Sequence, residues 1–583
     1  MTSTFNRLAP LLLAALILSA CMTSGPGARV KGQTVPTPEE LKKYCRETVG
    51  SPRVIKISDH VWVAVGYDQA STVLIDTPKG VVIVDAAGSP DRAEVVKKAL
   101  FAAARSGPVA ALVYTRCHQD NIGGALALAG ENTRVWATEA FPSHYFNRFM
   151  RFQAAEALLD DRLSGGRVPR EFLTCNRLGP GREPGERTAA GTLPPTDLFS
   201  GKKELDFGGM AIELRQFAGP DQDRLYVWVP RDGTLIGGDG FYESFPVFHS
   251  FEGSSPRSVD DWIETLDAMR TLAPTRLVPS HGRPILNAGQ AARTLTEYRD
   301  ALQWVRDEVI RGINRGEGPD ELAANIGLPP HLAEKPFLKE IYGRIDWAAR
   351  DIYAGYRGAL AGRPENLFPL PAAEAASREI ALMGGPEKVL VLAEKALMGG
   401  EVKWGVHLLS KLVVGNFPEA VKAEATRKLA LGLEVLGRVA VNTIGRAYLL
   451  ESAVELREGP APGAPSAPNS ALASRLPLEY LFRALGPKLK VEEAMDLTET
   501  AVFVFPDEKK RFVVTVRKGI VETVEGAPRP GTPDPVAVAT FDSQDFRKVV
   551  GGEVSPYTLL IQGKIRVQGS WVGLVGFLGR FED

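Results

Sequence analysis

The feature that most constrains this chain is one strand and the loop behind it. The apolar run Val109-Ala110-Ala111-Leu112-Val113-Tyr114 gives way directly to Thr115-Arg116-Cys117-His118-Gln119-Asp120-Asn121-Ile122-Gly123-Gly124. A short apolar run bounded by turn residues predicts a buried strand, and a Gly-Gly pair after a polar loop predicts a tight entry into a helix. Upstream, Gly80-Val81-Val82-Ile83-Val84 is a second such strand, ending in the acid Asp85, and residues 61–65 and 71–75 are two more. With a helix-like segment over residues 90–104, they predict a layered α/β beginning.

A second strand-rich block spans residues 204–239 and leads to a helix over 258–272 and the strand-like Arg276-Leu277-Val278-Pro279. Two sheets with helices outside account for both blocks. After residue 289, Leu295, Tyr298, Leu302, Val305, Val309 and Ile313 recur at three-and-four spacing, the mark of an amphipathic helix. Helical segments continue to about residue 456, with Gly399-Gly400 between two of them in the manner of a helical hairpin. The stretch Gly459-Pro460-Ala461-Pro462-Gly463-Ala464-Pro465 is a linker, because its proline density denies it both helix and sheet ladders. Beyond it, a helix over 477–485, hairpin-like runs at 500–506 and 512–516 and an apolar end at 574–578 predict a small α+β unit.

A chain of 583 residues, 44% hydrophobic and 24% charged, can bury several cores. Its 69 basic residues are balanced by 70 acidic ones, so no long-range positive field exists to attract nucleic acid, and none is expected as a partner. At the N-terminus, Arg7, the apolar run 8–18 and Leu18-Ser19-Ala20-Cys21 read as an export signal too short to span a membrane. The small residues before Cys21 resemble a lipobox, which implies acylation of Cys21 and anchoring at the bacterial envelope, on the periplasmic side and at the outer membrane. The alternative is ordinary secretion with Cys21 lost in the leader. Cys45, Cys117 and Cys175 remain, an odd number without metal-type spacing. A Cys45–Cys175 bridge is open in an oxidising compartment, but buried free thiols are the commoner outcome and the expectation here.

Of 7 histidines, His118 and His281 sit in loops straight after apolar strands, and Asp85, Asp120, Asp221 and Asp239 close strands or occupy the loops that follow. Strand-end loops are where α/β folds place chemistry. The segment Thr115 to Gly124 resembles the metallo-β-lactamase-fold signature T-H-x-H-x-D-H-x-G-G, with Gly237-Gly238-Asp239 and Ser280-His281-Gly282 further on. The order of the following regions is similar to the linear alkylsulfatase branch of that superfamily, on segments that include Asn366-Leu367-Phe368-Pro369-Leu370-Pro371 and Met383-Gly384-Gly385. The resemblance implies an αββα sandwich, an all-α dimerisation domain that makes a homodimer, and a small α+β sterol-carrier-like domain. The boundaries then read as leader 1–21, metal domain 22–288, helical domain 289–457, linker 458–472 and C-terminal domain 473–583.

Position by position, the resemblance puts His118 and Asp221 on first-metal ligands, Asp120 and His281 on second-metal ligands, and Asp239 on the bridging carboxylate. Arg116 and Asn121 stand where two further histidines belong. A permanent cation about 4 Å from a dication costs several kcal/mol even at an effective dielectric near 20, so the first site is expected to be empty, with Arg116 paired to Asp221 or Asp239 in place of the ion. Asp120, Asp239 and His281, with a weak amide oxygen from Asn121, leave an open site for one zinc ion or none. In place of the branch's sulfate-gripping Leu-Arg-Gly stands Phe251-Glu252-Gly253, and Glu252 would repel a sulfate. Arg151 and Arg162, near the second gripping segment at residues 156–166, are candidates to compensate. His249 is a further candidate ligand, and Cys117 a candidate thiolate beside a cation.

Two functions follow from this reading. One is an alkylsulfatase-like, metal-dependent hydrolase of an ester or sulfate ester with a hydrophobic tail, using Asp120 and His281 with one metal and altered activity. The other is a catalytically degenerate lipoprotein that binds a lipid-like ligand or a partner.

Overall fold

The computed structural model describes residues 34–581 except 105, 174, 182–190, 220–221, 249–256, 359, 361–362, 461–475 and 551–552. Cys21 and its leader, Asp221, His249, Glu252 and most of the Pro-rich linker lie outside the described residues.

The first sheet runs in sequence order: β1 (Arg53–Lys56), β2 (Val61–Val65), β3 (Thr72–Thr77), β4 (Gly80–Val84), β5 (Val109–Val113), β6 (Arg134–Thr138) and β7 (Asp197–Phe199). It is antiparallel up to β4 and parallel from there to β7. The second comprises β8 (Lys202–Asp206), β9 (Ala211–Gln216), β10 (Leu225–Val229), β11 (Thr234–Gly238) and β12 (Arg276–Pro279), in the order β12-β11-β10-β9-β8. Strand β4 shows why the sheets stack. Val82 and Val84 face the second sheet, where Val227, Ile236 and Val278 meet them, whereas Val81 and Ile83 face Val96 and Leu100 of the helix Pro90–Ala103. Side chains of a strand alternate between faces, so a continuous apolar run is a strand covered on both. The helix Val259–Thr271 covers the other sheet, burying Trp262, Leu266 and Met269 beside Leu235 and Leu277. These four layers are the expected αββα sandwich.

The helix Ala288–Arg315 buries Leu295, Tyr298, Leu302, Val305 and Val309, the stripe its spacing predicts. Helices Pro386–Met398 and Val402–Val414 form the expected hairpin about Gly399-Gly400. The last helix of this region, Thr443–Glu458, returns to pack on the helix Gln153–Ser164 of the sandwich. Arg162 forks onto Glu455 at 2.8–3.0 Å, and Arg167 gives Glu451 its Nε–H at 2.7 Å and its backbone N–H at 2.8 Å. The C-terminal unit is a third sheet of β13 (Thr498–Phe505), β14 (Lys510–Arg517), β15 (Ile520–Glu525), β16 (Pro535–Thr540) and β17 (Arg566–Gly569). Its order is β15-β14-β13-β16-β17. Phe482 stacks on Phe512 at 4.3 Å inside it, and Tyr480 meets Phe146 of the sandwich at 5.5 Å.

The expectation of free thiols is corrected for two cysteines: Cys45 and Cys175 form a disulfide, with Cα atoms 5.6 Å apart. The pair is 130 residues apart in the chain, and Tyr44, Val49, Cys175 and Leu178 share one buried cluster that brings them together. Cys117 is free and buried. Burial pushes its thiol well above the usual range, which removes it as a candidate thiolate.

Candidate active site

The site is built from the loops that leave the carboxyl ends of β4, β5, β11 and β12. Asp85, just past β4, adopts a left-handed backbone at φ +62°, and its carboxylate accepts the Thr115 backbone N–H at 2.9 Å and the Thr115 hydroxyl at 2.8 and 2.9 Å. Burial pushes this carboxyl up to about 6, against the pull of the Thr115 hydrogen bonds. Asp85 therefore clamps the start of the 115–124 loop. At its end, a Cβ on Gly123 would lie 2.2 Å from the Gly88 carbonyl oxygen, and one on Gly124 2.2 Å from that of Ala86. The Gly-Gly pair is thus a close-approach requirement.

Asp223 lies beside this loop, and sequence reasoning missed it. It is buried, accepts the Cys117 backbone N–H at 2.8 Å and lies 3.7 Å from His144 Nδ1. Despite burial its carboxyl is held below the usual range by His144 and the Cys117 hydrogen bond. The available signal was a pair of acids two residues apart in one short loop.

At the centre, Arg116 forms an ion pair with Asp239, the second of the two expected partners, and its guanidinium also lies against the imidazole of His118. Burial, then Arg116, Arg148, Arg257 and Arg177, hold His118 well below its usual pKa and so uncharged. His281 Nδ1 donates to the Gln69 carbonyl oxygen, 2.7 Å away, since a carbonyl can only accept; Nδ1 therefore carries the proton and Nε2 of the neutral ring keeps its lone pair. That Nε2 lies 3.3 Å from Asp239 Oδ1 and 4.0 Å from Asp120 Oδ2. Burial, the largest influence on it, lowers the His281 pKa and favours the neutral ring.

Asn121 is not at the cavity: it is fully buried, with its amide 3.4 Å from Thr115 Oγ1. That contact is made by its amide nitrogen; the oxygen expected as a weak ligand is buried without a hydrogen bond, and Asn121 does not line the cavity. The candidates Arg151 and Arg162 are also corrected, since Arg162 is committed to Glu455 and Arg151 sits over the Phe152 ring. The cavity instead presents Arg148, Arg177 and Arg257 beside Arg116, with Leu163, Leu178, Tyr242 and Tyr342 as its apolar lining. No pattern in the sequence marks these three arginines, because each comes from a different segment.

The sandwich and its strand-end site define the metallo-β-lactamase superfamily, to which the chain belongs; that family model matches residues 65–281. Within it the chain falls in the alkylsulfatase branch: the alkyl sulfatase dimerisation model matches residues 318–459 and the alkyl sulfatase C-terminal model residues 466–583. The chain is similar to a linear primary-alkylsulfatase of Pseudomonas sp., 29% identical, with 87% of this chain and 98% of the relative covered. It is also similar to an (R)-specific secondary-alkylsulfatase of Pseudomonas sp., at 25% identity over 89% of this chain and 79% of the relative. In structure it matches the inverting sec-alkylsulfatase Pisa1 from Pseudomonas sp. with a TM-score of 0.86 and 21% identity, covering 99% of this chain and 96% of that one.

A metal implied by the superfamily can be tested against these side chains. The first position does not fit, because the Arg116 guanidinium fills it. Among the described residues no group of three His, Cys, Asp or Glu side chains is closed into a metal shell as it stands. Two donors of the second position nonetheless stand at ligand spacing: Asp239 Oδ1 is buried and makes no hydrogen bond, and the His281 Nε2 lone pair is 3.3 Å from it. That is the spacing of two ligands sharing a tetrahedral ion with bonds of about 2.0–2.1 Å.

Proposed function

We propose that the protein is an alkylsulfatase-like hydrolase of an ester or sulfate ester with a hydrophobic tail, working with a single metal and with altered or weakened activity. The observation that carries this reading is the pairing of the buried, unbonded Asp239 Oδ1 with His281 Nε2 at 3.3 Å, beside Asp120. Asp120, Asp239 and His281 would hold the ion, one zinc in this reading, which when bound supplies Lewis acidity and makes water easier to deprotonate. The remaining work is done by the chain itself. The Gln69 carbonyl fixes the His281 tautomer. Asp120 is placed to accept a proton from water. Leu163, Leu178, Tyr242 and Tyr342 give the alkyl tail an apolar wall. In the sulfate-ester case, one water and one alkyl sulfate become one alcohol and one hydrogen sulfate.

The dimerisation region and the exposed apolar side chains Phe368, Leu382, Met398 and Trp404 support a homodimer. The leader with its lipobox, and a disulfide of the kind oxidising compartments permit, support export and anchoring through Cys21 on the periplasmic side of the envelope, at the outer membrane. Loss of fatty-acid labelling in Cys21→Ala tests that anchor.

The functional test is release of sulfate from a medium-chain alkyl sulfate by zinc-reconstituted protein, abolished in His281→Ala. Less than about a tenth of an equivalent of zinc, manganese or iron after reconstitution would end the reading and favour a catalytically degenerate lipid- or partner-binding lipoprotein.

A further inference from the structure

The cavity collects four guanidinium groups from separate segments of the chain. Arg116, Arg148, Arg177 and Arg257 line it together with two carboxylates, Asp120 and Asp239. Each guanidinium is aimed by a different part of the fold. Arg116 is held by Asp239, Arg148 by Glu156 at 3.3 Å, Arg177 by Asp160, and Arg257 by the Val247 carbonyl at 2.9 Å. Arg116 and Arg148 approach the same imidazole, with Arg148 Nη1 3.5 Å from His118 Nε2. Two permanent cations about one uncharged ring repel each other, a cost that an anion seated between them would reverse. Arg177 is a non-glycine residue at φ +47°, a backbone setting that normally persists only where the surroundings impose it.

We propose that Arg116 takes over the anion-binding role of the missing metal, so that the pocket grips the sulfate head of its substrate through guanidinium groups and does so without a metal ion. Guanidinium forks match the terminal oxygens of a sulfate ester, and the cation is fixed by covalent attachment, so it is neither lost to chelators nor dependent on metal supply. Leu163, Leu178, Tyr242 and Tyr342 of the same cavity offer the tail an apolar lining. The inference deepens the hydrolase reading and rests on it for the identity of the ligand.

Calorimetric titration of full-length protein with inorganic sulfate and with decyl sulfate below its micelle threshold tests it, once after chelator treatment and once with zinc restored. The expected result is binding of both probes in the chelated state, with zinc changing the decyl sulfate affinity by less than about threefold. Arg116→Gln and Arg148→Gln each weaken chelated-state binding by about tenfold or more, Arg116→Lys, which keeps the charge but loses the fork, recovers only part of that loss, and Arg151→Gln, outside the cavity, stays within about twofold. Binding that appears only with zinc overturns the proposal, as does wild-type affinity in Arg116→Gln. If Arg116→Gln fails to fold because Asp239 loses its partner, wild-type affinity in Arg148→Gln overturns it instead. Chelator-resistant binding with no hydrolysis after zinc restoration would sink the hydrolase reading and leave this inference standing; hydrolysis with strictly zinc-dependent binding would do the reverse.

Discussion

Arg116 shows how far one side chain can redirect an inherited site. In the two-metal arrangement its position carries a neutral imidazole; here it carries a guanidinium paired with Asp239, and the second exchanged ligand, Asn121, is buried outside the cavity lining with its amide nitrogen on Thr115. Restoring both histidines should restore metal capacity, so Arg116→His/Asn121→His is expected to take up about one more equivalent of zinc than the wild type by elemental analysis. Asp85 makes a second prediction. Its carboxyl is raised from 3.8 to about 6 on folding, so the folded chain holds this proton more tightly than the unfolded one. The stability this contributes is full below about pH 4 and is lost as the pH rises through about 6. Asn cannot titrate, so the stability of wild type relative to Asp85→Asn should fall across that interval and level off above it, as read from melting temperatures in chelator-containing buffer.

Among the elements, those that place the site were legible and those that close it were not. Strands β4, β5, β11 and β12 could be read from apolar runs ending in Asp85, Thr115, Asp239 and His281, because a strand's burial is written in consecutive residues. Arg148 sits in the π-helical turn Asn147–Arg151 and Arg177 in a turn, on either side of the helix Gln153–Ser164, which packs on Thr443–Glu458. That docking carries its own prediction. Glu451 is fully buried and receives two hydrogen bonds from Arg167, so Glu451→Ala should cost about 3–5 kcal/mol in denaturant unfolding followed by tryptophan fluorescence. Glu451→Gln should cost less, since its amide oxygen still accepts one of them.

For the whole molecule, the helical region presents Leu382 at 90% and Phe368 at 92% exposure, more apolar surface than an isolated chain should leave in water. Light scattering is expected to give twice the chain mass, and Leu382→Asp to shift the population toward monomer. The sequence by itself determined the layered α/β start, the amphipathic helices, the Pro-rich break before a small α+β unit, and the damaged histidine motif in the loop after β5. All of these are local, set by the period of apolar residues and by which groups stand in one loop. Tertiary structure alone decided which acid Arg116 neutralises, that Cys45 meets Cys175, that Asp223 braces the loop, and that three distant arginines share one cavity. Each is a contact between segments far apart in the chain. Such contacts follow from how the sheets and helices pack, and no periodicity within a single segment encodes them.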